Sequence, residues 1–224
     1  RQEAIIVFVS DHGEMLGRKG LWFKMNFFEG AARVPLMIAA SGLTAGLIET
    51  PVSTIDLTPT LCDLAGISME EVMPWTDGES LVPLAKGQAR STPVAMEYAA
   101  EGSITPMVAL RQGAWKYIHC LADPDQLFDL ANDPEEEVNL ATNPRAAEIL
   151  AHFQALANER WDLQAYDNEV RQSQARRWVV YEALRNGNYY PWDYQPLRAA
   201  SERYMRNHMD LNILEESKRF PRGE

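Results

Sequence analysis

Long apolar runs are missing from this sequence. No stretch approaches the ~20 consecutive apolar residues that a membrane-spanning helix requires, so no membrane partner is expected. Basic residues are outnumbered, with 21 Lys and Arg against 32 Asp and Glu for a net charge of −11. That balance excludes the clustered cations that a nucleic-acid partner demands. Cysteine is scarce. Cys62 and Cys120 lie far apart, without metal-type spacing and among apolar neighbours, so both read as reduced core thiols and point to a cytoplasmic compartment. No leader-like segment is present. The chain starts at Arg1 and enters an apolar stretch almost at once, so it reads as the carboxyl-terminal part of a longer protein, with any leader lying outside it.

The most informative segment present is Ser10-Asp11-His12-Gly13-Glu14. The apolar run Ala4 to Val9 stops there at an acid, an imidazole and a glycine. This is how a buried parallel strand reads when it delivers polar groups to its carboxyl end, where open α/β sheets place ligands. Gly13 supplies the backbone freedom to leave the strand. A solvated Asp-His turn is the competing reading. A polar and aromatic loop of about 20 residues follows, and such loops are usually functional or disordered. Its Trp22, Phe23, Phe27 and Phe28 argue against disorder. A second apolar strand runs from Val34 to Ala40.

Together, Ser10-Asp11-His12-Gly13-Glu14-Met15-Leu16-Gly17, Gly20-Leu21-Trp22-Phe23-Lys24, Glu29 and Arg33-Val34-Pro35-Leu36 resemble the second half of a type I sulfatase of the alkaline-phosphatase superfamily. The resemblance implies a divalent cation, usually calcium, on Asp11 and His12, and a sulfate-ester contact at Lys24. Catalytic roles fall to Lys24 and His12. Many sulfatases carry Asn where this chain has His12; Asp-His occurs in the choline-sulfatase branch.

The expected fold class is α/β, the carboxyl-terminal part of an alkaline-phosphatase-like sulfatase fold. Residues 1–90 read as part of the α/β core, with Asp56 as helix N-cap, Pro59 in the first turn and Gly66 as the stop. Residues 91–142 read as a small four-stranded antiparallel sheet: Pro93 to Tyr98, Met107 to Arg111, Trp115 to His119 and Gln126 to Leu130, with a hairpin turn at Gln112-Gly113. The acidic run Asp123, Asp125, Asp129, Asp133, Glu135, Glu136 and Glu137 reads as solvated surface. Residues 143–224 read as one or two helices and an extension. Ile149, Phe153, Leu156 and Leu163 keep helical spacing. Trp178, Val179, Val180, Tyr181 and Leu184 form a second apolar face read as helix packing. The aromatic, proline-bearing tail around Tyr189 to Leu197 suits an interface and resembles the extension of choline sulfatases.

That resemblance implies hydrolysis of choline O-sulfate, and a homo-oligomer formed through the extension. Neither cysteine sits in the Cys-x-Pro/Ala-x-Arg motif that the family converts to its formylglycine nucleophile, so formylglycine is expected upstream and the fragment alone is expected to be inactive. A quaternary ammonium is held by aromatic faces and carboxylates. By resemblance Glu101 and Asp210 are the substrate-binding candidates. An arylsulfatase, a phosphonate or phosphodiester hydrolase and a non-catalytic oligomerisation module are the competing readings.

Overall fold

The computed structural model describes residues 4–187, and the tail that carries Asp210 lies outside them. The chain forms two compact units, residues 1–168 and 169–224.

The first unit opens on a pair of short strands, β1 (Ile6–Val9) and β2 (Leu36–Ala39), in register from Ile6↔Ala39 to Val9↔Leu36. They run antiparallel, which corrects the parallel reading. An apolar run reports burial preference, not strand direction. Nor are they buried: Ile6, Phe8 and Met37 are more than half exposed, because among the described residues β1 and β2 form a sheet of only two strands. Between them lies the loop, which contains a 3-10 turn at Arg18–Gly20 and the short helix α1 (Glu29–Ala32).

Three helices follow: α2 (Leu57–Ala65), α3 (Met69–Val72) and α4 (Val82–Ala85). Gly66 ends α2 in the left-handed region at φ 72°. The N-terminal cap differs from expectation. Ser53 caps the preceding 3-10 turn, Thr54–Asp56, and Asp56 answers it as the partner of a capping box. Asp56 is fully buried because it does more than cap. Its carboxylate accepts from the backbone N–H groups of Ser53 (2.8 Å) and Glu79 (2.9 Å) and pairs with Arg90 at 2.5 Å. Gly78 lies so close to Ile55 that an added Cβ would fall 2.3 Å from its carbonyl oxygen.

The second sheet has the order β3 (Val94–Tyr98), β4 (Met107–Gln112), β5 (Trp115–Cys120), β6 (Gln126–Asp129), antiparallel throughout. The β4–β5 hairpin closes on the two residues Gly113 and Ala114, one position beyond the expected turn, with Gly113 at φ 55°. Strand parity splits the sheet into two apolar faces. Leu110, Tyr117 and Leu127 pack on Phe153 and Ala157 of α5 (Ala147–Arg160) and on Ala146 just before it. Ala109, Ile118 and Phe128 pack on Phe27 and Phe28 of the loop. Phe153 is 1% exposed and stacks on Tyr117 at 6.0 Å, so its truncation to alanine would cost about 3–5 kcal/mol.

The helical run after residue 143 is interrupted. Trp161 is extended, Asp162 accepts from the Ala165 N–H at 2.9 Å, and α6 (Leu163–Arg185) restarts there. In the second unit Trp178 stacks on Tyr181 at 5.0 Å, and Trp178, Val179, Val180 and Leu184 are exposed rather than packed. Three of them are consecutive and so cannot share one helical face. Cys62 and Cys120 are free, and both are half-buried rather than core.

The acidic run is also corrected in part. Asp125 accepts from Tyr117 (2.8 Å), His119 (2.6 Å) and Gln154 of α5 (2.8 Å). Burial pushes its pKa up, but the hydrogen bonds from Gln154, Tyr117 and His119 outweigh burial and hold it below the ordinary value. The folded state therefore binds this proton less readily than the unfolded chain. The stabilisation is complete above about pH 4 and is lost as pH falls through the lower folded pKa. Asp125→Asn should lower the urea midpoint at neutral pH and flatten its fall into acid. An unchanged acid limb would refute the link.

Candidate functional site

The candidate site sits where β1 ends. Asp11, His12 and Lys24 come together there, although twelve residues separate the last two. The Lys24 Nζ lies 2.9 Å from His12 Nε2, and Asp11 Oδ2 lies 3.4 Å from the same nitrogen. The imidazole is oriented from its other side: Nδ1 is 2.7 Å from the carbonyl oxygen of Gly13. A carbonyl only accepts, so Nδ1 carries the proton, and in the neutral ring Nε2 is a lone pair facing the Lys24 ammonium. Ser10 fixes the turn by donating to the His12 carbonyl at 2.9 Å. Asp11 is 83% exposed. Its Oδ1 accepts the His12 backbone N–H at 2.9 Å, and this bond is the largest cause holding its carboxyl below the usual aspartate range.

Gly13 is needed for a different reason from the one its sequence position gave. Its φ is not in the left-handed region, but its N–H donates to the Ala31 carbonyl at 2.8 Å and an added Cβ would lie 2.2 Å from the Gly30 carbonyl oxygen. The end of β1 is thus seated directly on the backbone of α1. In the loop, Phe27 is buried while Trp22 and Phe23 are about two-thirds exposed.

Glu101 lies in the exposed turn after β3, where its carbonyl accepts the Tyr98 hydroxyl at 2.7 Å. Among the described residues it makes no bond to Asp11, His12 or Lys24. A recess of about 410 Å³ lined by His119, Trp161 and Asp162 shares none of the three either.

Residues 17–162 match the family described as "N-sulphoglucosamine sulphohydrolase, C-terminal". The chain belongs to the sulfatase family. Residues 168–220 match a second description, "Choline sulfatase enzyme C terminal". The chain is 64% identical over 225 residues to a choline-sulfatase of Rhizobium meliloti (strain 1021), an alignment covering 99% of this chain and 44% of that protein. It therefore spans less than half the length of that relative. Among solved structures, a 2-O GAG sulfatase is 30% identical with a TM-score of 0.60, over 77% of this chain and 38% of that one. The phosphonate monoester hydrolase of Agrobacterium radiobacter is 27% identical with a TM-score of 0.56, over 73% and 35%. The sulfatase fold expected from the sequence is thereby established.

Among the described residues no group of three or more His, Cys, Asp and Glu side chains converges to hold a metal. The residues present fit part of a cation site. Asp11 offers one hard oxygen, Oδ2, free of backbone bonds and open to solvent. Calcium takes six to eight oxygens, more than Asp11 supplies by itself. His12 suits that ion poorly, because imidazole is softer and its lone pair already faces Lys24.

Sequence reasoning passed over Lys116, Glu136 and the role of Glu29. Lys116, the second residue of β5, is 1% exposed, and its ammonium meets the Phe27 carbonyl (2.8 Å), Glu29 (2.5 Å) and Glu136 (2.8 Å). Glu136, read as part of a solvated run, is 3% exposed, sits at φ 57° and also accepts the Glu29 backbone N–H at 2.7 Å. The signal in the sequence is strand parity. Lys116 shares a face with Ile118, and a lysine there must either disrupt that face or be paired within it.

Gly13→Ala should destabilise the protein by about 1–3 kcal/mol, because backbone on both sides must move. Gly46→Ala is the control, with nothing within 4 Å of its added Cβ. Thermal unfolding of both checks this, and equal midpoints would sink the close-approach argument.

Proposed function

We propose that this chain supplies the leaving-group side of a choline O-sulfate hydrolase, for which a segment outside these 224 residues would hold the formylglycine nucleophile. The observation that carries the reading is the ammonium–imidazole contact at 2.9 Å beside a charged, exposed Asp11. An ammonium has three donors. His12 takes one, and among the described residues the other two have no partner. They are available to an anionic ester. Lys24 would donate to a sulfonate oxygen and to the bridging oxygen, where charge develops as the S–O bond breaks. The Gly13 carbonyl keeps the His12 ring turned so that Nε2 holds Lys24 in place. A divalent cation on Asp11, calcium by family resemblance, would neutralise charge on the sulfonate oxygens.

The choice of choline rests on the match over residues 168–220 and on the identity to the Rhizobium choline-sulfatase. Glu101, exposed beside Tyr98, is the proposed counter-charge for the quaternary ammonium. Asp210 is proposed to complete the choline pocket of a neighbouring subunit through the extension. The likeness to a phosphonate monoester hydrolase favours a second reading, a hydrolase of phosphonate esters.

In the full-length enzyme, Lys24→Ala should lower kcat/KM for choline O-sulfate by about 10²–10³-fold. Glu101→Ala and Asp210→Ala should raise KM for choline O-sulfate much more than for an uncharged aryl sulfate; equal effects on both would refute the choline roles. Faster turnover of a phosphonate monoester than of any sulfate ester would favour the second reading. The 224 residues alone should show no turnover, and detectable hydrolysis would contradict an external nucleophile.

A further inference from the structure

The Lys116 cluster lies far from Lys24 in sequence yet touches the loop that carries it. First, the ammonium is fully buried and its three donors have three acceptors: the Phe27 carbonyl, Glu29 and Glu136. Two of those acceptors belong to the loop that carries Lys24. Second, Glu136 stands in the left-handed region at φ 57° without being glycine. Such strain persists only where the surroundings over-determine it, and it gathers at functional positions. The surroundings here are specific: Glu136 takes Lys116 on one oxygen and the Glu29 N–H on the other, and its own carbonyl accepts Lys19 at 2.5 Å. Third, the loop is anchored again on its other side. α1 begins at Glu29, and the carbonyls of Gly30 and Ala31 seat Gly13, one residue from His12. A continuous path of contacts thus runs from Lys116 on β5 through Glu29 and α1 to Gly13, whose carbonyl meets the imidazole.

We propose that Lys116, through Glu29 and Glu136, is a positioning residue that clamps the 13–33 loop so that Lys24 meets His12 in the geometry that binds the ester. A lysine needed only to fill the sheet would be replaced by methionine with little consequence for the loop, since Met matches its stem and packs well. The clamp predicts the opposite. Two of its acceptors are loop groups, and with the ammonium gone the buried Glu136 carboxylate and the partly buried Glu29 carboxylate face each other without a cation between them. The loop then leaves, and Lys24 and Gly13 move with it.

This inference rests on reading Asp11, His12 and Lys24 as the ester site, and the experiment separates the two. In the full-length enzyme, Lys116→Met should lower kcat for choline O-sulfate by about 10–100-fold, the range expected when a supporting group is lost. Amide hydrogen exchange should quicken over residues 13–33 and stay slow over 107–129 and 147–160. Glu29→Gln, which keeps an acceptor but removes its charge, should act in the same direction by a smaller factor, and it decides the matter if Lys116→Met does not fold. Lys24→Ala combined with either variant should cost little beyond Lys24→Ala alone. Protection lost evenly across sheet and loop, or kcat within about twofold of wild type, would overturn the clamp. Full activity in Lys24→Ala would sink the site reading, while the exchange pattern would still judge the clamp.

Discussion

A single buried ammonium joins the two parts of this structure that matter for function. Lys116 is the second residue of β5, in a sheet whose two faces are both covered, one by α5 and one by the aromatic side chains of the loop. A charge there is tolerable only with every donor satisfied, and each of the three is. Removing one partner of such a buried pair costs about 3–5 kcal/mol, while replacing the whole set by apolar groups is often neutral. The cluster is therefore a poor means of gaining stability and a good means of fixing one arrangement. It allows Phe27 and Phe28 to lie on the sheet in only one register, with the Phe27 carbonyl directed at the ammonium.

From that point the loop geometry follows in short steps. Glu29 bonds Glu136 through its backbone and Lys116 through its side chain, so α1 starts at a fixed place and angle. The carbonyls of α1 then meet Gly13 at a distance that excludes any side chain. Met15, 1% exposed, packs against Gly30 from the other side. The end of β1 has little support of its own, because the two-stranded sheet leaves Ile6 and Phe8 exposed. The position of Asp11 and His12 is set less by the strand that delivers them than by the helix turn on which the next residue, Gly13, rests.

This explains which parts were legible in the sequence. The four-stranded sheet was readable because strand composition, turn residues and spacing all agree, and only the hairpin turn slipped by one residue. The motif residues Asp11, His12 and Lys24 were readable by resemblance, and the structure does bring them together. Strand direction at β1 was not readable, since an apolar run carries no sign. Asp56 was taken for a cap because Asp before a helix usually is one; its burial with Arg90 depends on a partner 34 residues away. Glu136 was the largest miss. Within a run of seven acids, charge patterning argues for solvation, and only the contact with a lysine 20 residues earlier singles out one of them. Glycine 13 was noticed for the wrong property, since sequence suggests conformational freedom and cannot show close approach.

The charge distribution bears on which ester such a site would admit. These 224 residues carry −11, and a purely anionic ester approaching them meets net repulsion beyond the immediate site. Screening limits that repulsion to about 8 Å at physiological ionic strength, so it acts on the last approach rather than on distant encounter. A zwitterionic ester such as choline O-sulfate has no net charge to be repelled. In the proposed site it would present both signs at once: the sulfate to the donors of Lys24, and the ammonium to an exposed carboxylate such as that of Glu101. An acidic surface that would slow the capture of an aryl sulfate would be nearly neutral toward a zwitterion. Under the proposed choline O-sulfate reading, the negative balance of these 224 residues would thus favour a zwitterionic ester over a purely anionic one.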